Sequence, residues 1–303
     1  MSDFLEQVVA ERRADAIAAR ARVPETDVLA RAVGNVWTRA RRPHGAEAEF
    51  AAFGGAPVRL GDMFTARLQS LRRERRLAVV AEVKRVSPTL GELGTNVDPA
   101  AQARRYAQAG ASAISVLTEP RHWGGSLADL AAVREAVPSV PLLCKDIVVS
   151  GYQVAEARAA GADAILLIAE ALSDVELRRL IRRARELNMG ALVEAHEPVA
   201  FGRAVASGAL VVGANARDLR RPGDIDTSRA RQLHSFVRED QIFVAESGIE
   251  TVDDARLLPS RVDAVLVGTA LMRAPDPAPL IRGLSAIRTG PARAATAVGE
   301  RAP

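Results

Sequence analysis

A carboxylate, an amine and a hydroxyl close a short apolar run in the stretch Ala81-Glu82-Val83-Lys84-Arg85-Val86-Ser87-Pro88. On extended backbone, side chains alternate between faces, so Glu82 and Lys84 point to one side. Opposite charges facing one way at a strand end suit a polar active site better than a packed core. The pattern recurs: an apolar run, then Thr118 with Glu119, Lys145 with Asp146, Glu194, Asn215 with Arg217, or Glu246 with Ser247 and Gly248. Glu82, Lys84, Lys145, Glu194 and Glu246 supply the donors and acceptors of acid–base chemistry. Clustered charges also shift each other's pKa, which such catalysis requires. A purely structural ring of ion pairs would not need to gather at one end of the strands, and its burial would cost several kcal/mol.

Eight apolar runs position these groups: Leu77–Glu82, Ala113–Leu117, Pro141–Cys144, Ala164–Ile168, Gly190–Val193, Leu210–Gly213, Ile242–Ala245 and Ala264–Val267. Each is followed by a helical pattern: Pro99–Ala109, Leu127–Ala136, Tyr152–Ala160, Asp174–Leu187, Pro198–Ser207, Thr227–Phe236, Thr251–Leu258 and Pro277–Leu284. Short continuous apolar runs alternating with helices mark buried parallel strands. Gly110, Gly161, Gly190 and Gly208 stand where helix C-terminal caps belong. The fold class is α/β, and eight β-α repeats are the count of a (β/α)8 TIM barrel, whose polar strand ends converge on one mouth. A doubly wound open sheet is the runner-up, and lacks its Gly-x-Gly-x-x-Gly turn after the first strand. The 76 residues before the first run read as a helical extension (Phe4–Ala21, Thr26–Val33 and part of Ala56–Arg75) capping the barrel or its mouth. Residues 1–288 form one barrel domain with that extension, and 289–303 read as a disordered tail.

Composition excludes several classes. A net charge of +4 with arginines interleaved among acids, as in Glu176 to Glu186, describes a solvated, salt-bridged face rather than a nucleic-acid surface. Aromatics at 4% leave no base-stacking platform. A lone cysteine, Cys144, permits no intramolecular disulfide and favours a reducing compartment. The charged start is no signal peptide, and no apolar run reaches about 18 residues. The expectation is a cytoplasmic protein, with no membrane or nucleic-acid partner and a monomer favoured.

The seventh and eighth runs end in Ser247-Gly248-Ile249 and Gly268-Thr269-Ala270. Barrel loops at these two positions commonly bind phosphate, because glycine lets backbone N–H groups approach the anion. A phosphorylated small molecule is therefore the expected substrate.

These stretches, together with Leu117-Thr118-Glu119, Gly125-Ser126, Lys145-Asp146, Tyr152-Gln153, Glu156 to Ile168, Leu192-Val193-Glu194, Gly213 to Leu219 and Gly268 to Met272, resemble the indole-3-glycerol-phosphate synthase family of tryptophan biosynthesis, over the whole barrel and in order. The resemblance implies ring closure of 1-(2-carboxyphenylamino)-1-deoxyribulose 5-phosphate with loss of carbon dioxide and water, without metal or organic cofactor. It implies Lys145 as general acid, held charged by Glu82 or Glu246, and Glu194 as general base with Glu82 a second candidate. Lys84 would pair with the substrate carboxylate. Asn215 and Arg217 would complete the polar wall, and Glu246 would orient Lys145. Ser87, Ser247, Gly248, Gly268 and Thr269 would hold the phosphate, and Trp123 would face the anthranilate ring. Acid and base are expected on opposite sides of that ring.

Val86, Thr89-Leu90, Ile147 after Lys145-Asp146, and Gly151 depart from the family pattern. They leave open a paralogue acting on a modified anthranilate. Phosphoribosylanthranilate isomerase is disfavoured, since it wants a Cys-Gly near the first strand. A non-catalytic phosphate-binding barrel would not need Lys145, Glu194 and Glu82 together. His44, His122, His196 and His234 form no metal motif; His122 and His196 are expected as solvated loop residues. Cys144 is expected as inert core, Asp146 as an outward loop-orienting group, and Trp37 as packing for the extension.

Overall fold

The computed structural model describes residues 3–40, 62–87, 91–93 and 97–290, and side chains within these except at 35–40. Eight parallel strands close a barrel in sequence order: β1 (Ala78–Val83), β2 (Ala113–Leu117), β3 (Leu142–Lys145), β4 (Ala164–Ile168), β5 (Gly190–Ala195), β6 (Val211–Asn215), β7 (Ile242–Glu246) and β8 (Ala264–Val267). Nearly every strand residue is buried, as a barrel filled inside and covered outside requires.

The connecting helices are α4 (Pro99–Gln108), α5 (Leu127–Ala136), α6 (Gly151–Ala159), α7 (Asp174–Glu186), α8 (Pro198–Ala206), α9 (Arg229–Leu233), α10 (Val252–Arg256), α11 (Thr269–Arg273) and α12 (Ala278–Ser285). Their starts are written locally. Ser150, Ser173 and Thr251 form reciprocal capping boxes with Gln153, Glu176 and Asp254. Gly190 is a correction to the expected caps: it opens β5, and the left-handed position after α7 belongs to Asn188, with φ +54°.

The extension clamps both ends of the barrel. Helix α1 (Phe4–Arg22) lies over the mouth, where Arg12 donates to both carboxylate oxygens of Asp146 at 2.9 Å. Helix α2 (Glu25–Ala40) follows α1. Helix α3 (Met63–Arg73) closes the floor with the fully buried Phe64 and Leu68. Its Arg72 donates to the carbonyls of Glu239 and Gln241, just before β7. Expected contributions from Trp37, His44, Thr89-Leu90 and the tail beyond Gly290 lie outside the described residues. Thr289 and Gly290 are tied to the barrel through their N–H groups, which donate to the carbonyls of Arg75 and Ser260.

Five of the eight strands run one or two residues past the end of their apolar run, and the other three end with it. Lys145, Glu194, Asn215 and Glu246 are the last ladder residues of their strands or one short of it, not the first loop residues. The polar side chain argued for ending the run, but the ladder runs through it: Leu117 pairs with Lys145, Ile168 with Glu194, and Asn215 with Glu246. Cα partners in a parallel ladder share a face, so these polar groups and their apolar partners all point inward.

Candidate active site

Inward side chains of a (β/α)8 barrel stack in layers of four taken from alternate strands. Glu82, Lys145, Glu194 and Glu246 stand on β1, β3, β5 and β7, so the uppermost layer carries four ionisable groups. Lys145 Nζ lies 3.1 Å from Glu194 Oε2 and 3.5 Å from Glu246 Oε2. Glu82 turns instead to Lys84, at 3.1 Å. The nearest partner of Lys145 is thus Glu194, the residue expected to face it across a ring. Their shared layer brings them into contact rather than onto opposite sides.

Burial works against the Lys145 ammonium, but Glu194, Glu246 and Glu82 outweigh it and hold its pKa above the usual lysine value. Glu246 goes well above the usual carboxyl range, through burial first and then the nearby Glu194, against the pull of Lys145. Arg217 is lowered by burial.

Asn215 ties the layer together. Its Nδ2 donates to Glu194 Oε1 at 3.2 Å, while its Oδ1 accepts from Arg217 N–H at 2.9 Å and Ser247 Oγ at 2.8 Å. Those two donors fix which way the amide points. Two glycines make the room. A Cβ on Gly213 would lie 2.1 Å from Glu246 Oε1, and one on Gly268 would lie 2.3 Å from Glu82 Oε1. Any side chain at either position would evict a carboxyl group from the mouth.

The layer floors a cavity of about 230 Å³. Apolar side chains (Leu117, Trp123, Ile147, Leu166, Ile168 and Leu266) and polar ones (Glu82, Lys84, Lys145, Glu194, Asn215, Arg217 and Glu246) line it together. Trp123 is 8% exposed and meets Phe4 of α1 edge-on at 5.9 Å. Its loop is knotted by Glu119, whose carboxylate accepts the N–H groups of Arg121, His122 and Trp123. Glu119 therefore shapes the β2–α5 loop.

Of the residues expected at phosphate, Ser247, Gly248, Gly268 and Thr269 line the cavity together. The Ser247 hydroxyl proton is spent on Asn215, which leaves its backbone for an anion. Helix α11 begins after Gly268 without a side-chain cap. Ser87 is buried in a two-residue ladder, Val86–Ser87 against Gly91–Glu92, and is not among the residues lining the cavity.

Neither loop histidine lines the cavity. His122 is held by Glu11 of α1 at 2.7 Å. His196 is buried rather than solvated, with Nδ1 2.9 Å from the Asn215 carbonyl and Nε2 3.0 Å from Arg229. An oxygen acceptor on one side and a guanidinium donor on the other set the neutral Nδ1–H tautomer. Donor atoms of His196, Glu197 and Asp218 lie within 4.8 Å of one another, but Arg220 binds both carboxylates, at 3.1 and 3.2 Å. That cluster is an ion-pair group. Cys144 is buried, its thiol pushed up to about 12 by burial. Asp146 serves α1 through Arg12, and accepts from Thr118 Oγ1 and its neighbour's N–H at 2.8 Å each.

The clamp between Arg12 and Asp146, the spaces at Gly213 and Gly268, and the apolar lining were not legible as site features in sequence. Gly213 carried a weak signal, a glycine in a strand two residues before a polar end. Leu219 and Ile225, also cavity residues, carried none.

Comparison with known proteins bears on what this site serves. The family model described as indole-3-glycerol phosphate synthase matches residues 36–284. A protein of that name from Nocardioides sp. is 53% identical over 213 residues, covering 70% of this chain and 81% of its own length. One from Roseiflexus sp. is 40% identical over 293 residues, covering 94% and 98%. Among solved structures, a tryptophan synthase from M. tuberculosis superposes with TM-score 0.55 at 16% identity, covering 74% of this chain and 98% of that one. A 3-hexulose-6-phosphate synthase gives 0.51 at 17%, covering 70% and 98%. At such identities, the structural likeness speaks to the fold alone.

Proposed function

The chain belongs to the indole-3-glycerol-phosphate synthase family, and from that premise we propose how its mouth closes an indole ring. The observation that carries the reading is the contact of Lys145 with Glu194 at a cavity lined by both apolar and ionisable side chains. The phosphorylated substrate, 1-(2-carboxyphenylamino)-1-deoxyribulose 5-phosphate, lays its aromatic ring against Trp123, Leu117 and Ile147. Its phosphate takes the backbone N–H groups around Gly248, Gly268 and Thr269. Lys84 meets the ring carboxylate.

Lys145 then protonates the ketone oxygen while the ring carbon bearing the carboxylate attacks the ketone carbon. The carbon–carboxyl bond breaks, and its electron pair restores the aromatic ring as carbon dioxide leaves. Water loss follows: the new hydroxyl departs with a proton, and Glu194 takes a proton from the methylene carbon beside nitrogen. Asn215 aims Glu194 for this step. A raised lysine pKa suits the first step, because the ammonium stays loaded throughout the neutral range. The net change makes the enzyme a carboxy-lyase of tryptophan biosynthesis.

We further propose a cytoplasmic monomer. Among the described residues, no helix is long and apolar enough to cross a membrane, and light scattering of the purified protein checks the monomer. The activity is tested by mixing protein and substrate and following indole fluorescence. Growth of the signal with wild type and its collapse with Lys145→Ala is the expected result. Substrate binding without turnover would instead point to a non-catalytic barrel or an altered substrate.

A further inference from the structure

The four groups of the uppermost layer and the neighbouring Lys84 do not balance as five ionised groups. Lys84 pairs with Glu82, while one ammonium, Lys145, is shared by Glu194 at 3.1 Å and Glu246 at 3.5 Å. Glu246 is the remaining carboxyl, 2% exposed, and neither of its oxygens has a hydrogen-bond partner among the described residues. An ionised carboxylate buried without a donor is costly, and such a group ordinarily gives up its charge instead. The groups facing it are Glu194 from β5, Lys145 from β3 and Glu82 from β1. Arg217 sits outside the layer in the loop after β6, its guanidinium on the Pro222 carbonyl. Glu246 and Glu194 lie within hydrogen-bonding reach, but two carboxylates are both acceptors. That contact becomes a bond only when one of them carries a proton. Gly213 supplies the space that keeps the Glu246 carboxyl in this position.

The reaction proposed above, on which this inference rests, has a matching need. Ring closure delivers one proton to the ketone oxygen, and dehydration delivers a second to the leaving hydroxyl. One proton comes off the methylene carbon, and one net proton is consumed as the carboxylate becomes carbon dioxide. Lys145 is spent after the first delivery, and Glu194 must be empty to act as base.

We propose that Glu246 is a carboxylic acid in the resting enzyme and reloads Lys145 between the two deliveries. After ring closure, the Glu246 O–H proton passes to the neutral Lys145 amine 3.5 Å away. The restored ammonium protonates the departing hydroxyl. The proton that Glu194 gains from carbon then moves to the Glu246 carboxylate, and one solvent proton reloads Lys145. Every group ends as it began.

The test has two parts. Infrared difference spectra of substrate-free enzyme at pH 8 should contain the carbonyl stretch of a protonated carboxylic acid, shifted in deuterium oxide and missing from Glu246→Gln. Glutamine also mimics the resting charge and shape. In single turnovers, Glu246→Gln should therefore release carbon dioxide within about twofold of the wild-type rate, yet form indole at least about tenfold more slowly. Glu246→Asp, which keeps a transferable proton, should recover part of that loss. Absence of the band overturns the proposal. So does an equal slowing of both steps, which is the signature of a carboxylate that merely orients Lys145. A wild-type enzyme that makes no indole overturns the relay together with the proposed function, whereas the infrared band still decides the resting protonation by itself.

Discussion

The floor and the mouth of this barrel both bury charge, and they treat it in opposite ways. On the floor, Asp163 and Asp263 stand just before β4 and β8 and are satisfied. Asp163 accepts from Leu142 N–H at 2.9 Å and Arg134 at 2.6 Å, with the buried Arg158 at 3.7 Å. Asp263 accepts from Phe243 N–H at 2.9 Å and from Arg261, with Arg72 at 3.4 Å. Each carboxylate has a backbone donor and two different guanidinium groups beside it, and such charge-assisted contacts offset desolvation. At the mouth, among the described residues, Glu246 and one Glu82 oxygen accept no hydrogen bond, and Glu246 and Glu194 crowd the same ammonium. Charge that is fully matched holds the fold together. Charge left partly unmatched keeps groups ready to exchange protons.

The largest effect that could break this contrast is on catalysis. Lys145→Ala should lower kcat by about a thousandfold, the usual range for a lost general acid; a loss of under about tenfold would remove it from that role. Asp163→Ala should act on stability instead. Removing one partner of a buried ion pair costs about 3–5 kcal/mol, read by urea unfolding, and the activity per folded molecule should stay at the wild-type level.

The sign of a pH effect sharpens the comparison further. Folding raises the Glu246 pKa above its unfolded value, so between the two values the unfolded chain binds fewer protons and stability falls as pH rises. Glu246→Gln removes that penalty. Its unfolding midpoint should match wild type at pH 4 and exceed it at pH 8; a midpoint lower at pH 8 would mean that the carboxylate is stabilising. The smallest effect belongs to neither region. Arg238 and Asp240 form an ion pair with both side chains more than half exposed. Arg238→Ala should shift stability by under about 0.5 kcal/mol, which sets the scale against which the buried groups are judged.

Much of this was legible in the chain. Apolar runs of strand length alternating with amphipathic helices determine a barrel almost by counting, because only buried parallel strands tolerate such continuous hydrophobicity. The capping boxes at Ser150 and Ser173 are contacts only three residues long, so the local chain suffices to make them. The polar strand ends named most of the cavity's ionisable groups. Ser87 sits in a two-residue ladder, and a pairing that short has no periodicity to read.

By itself, then, the sequence determined which elements form and which residue types arrive at one end of the barrel; both follow from local periodicity and capping. Only the tertiary structure decided who meets whom. That Lys145 touches Glu194 and Glu246 while Glu82 takes Lys84 follows from barrel closure, which stacks alternate strands into one layer. That Gly213 and Gly268 hold the carboxyl groups, and Arg12 holds Asp146, are contacts between residues distant in the chain. No local pattern encodes such contacts, because the space they fill exists only once the barrel has closed.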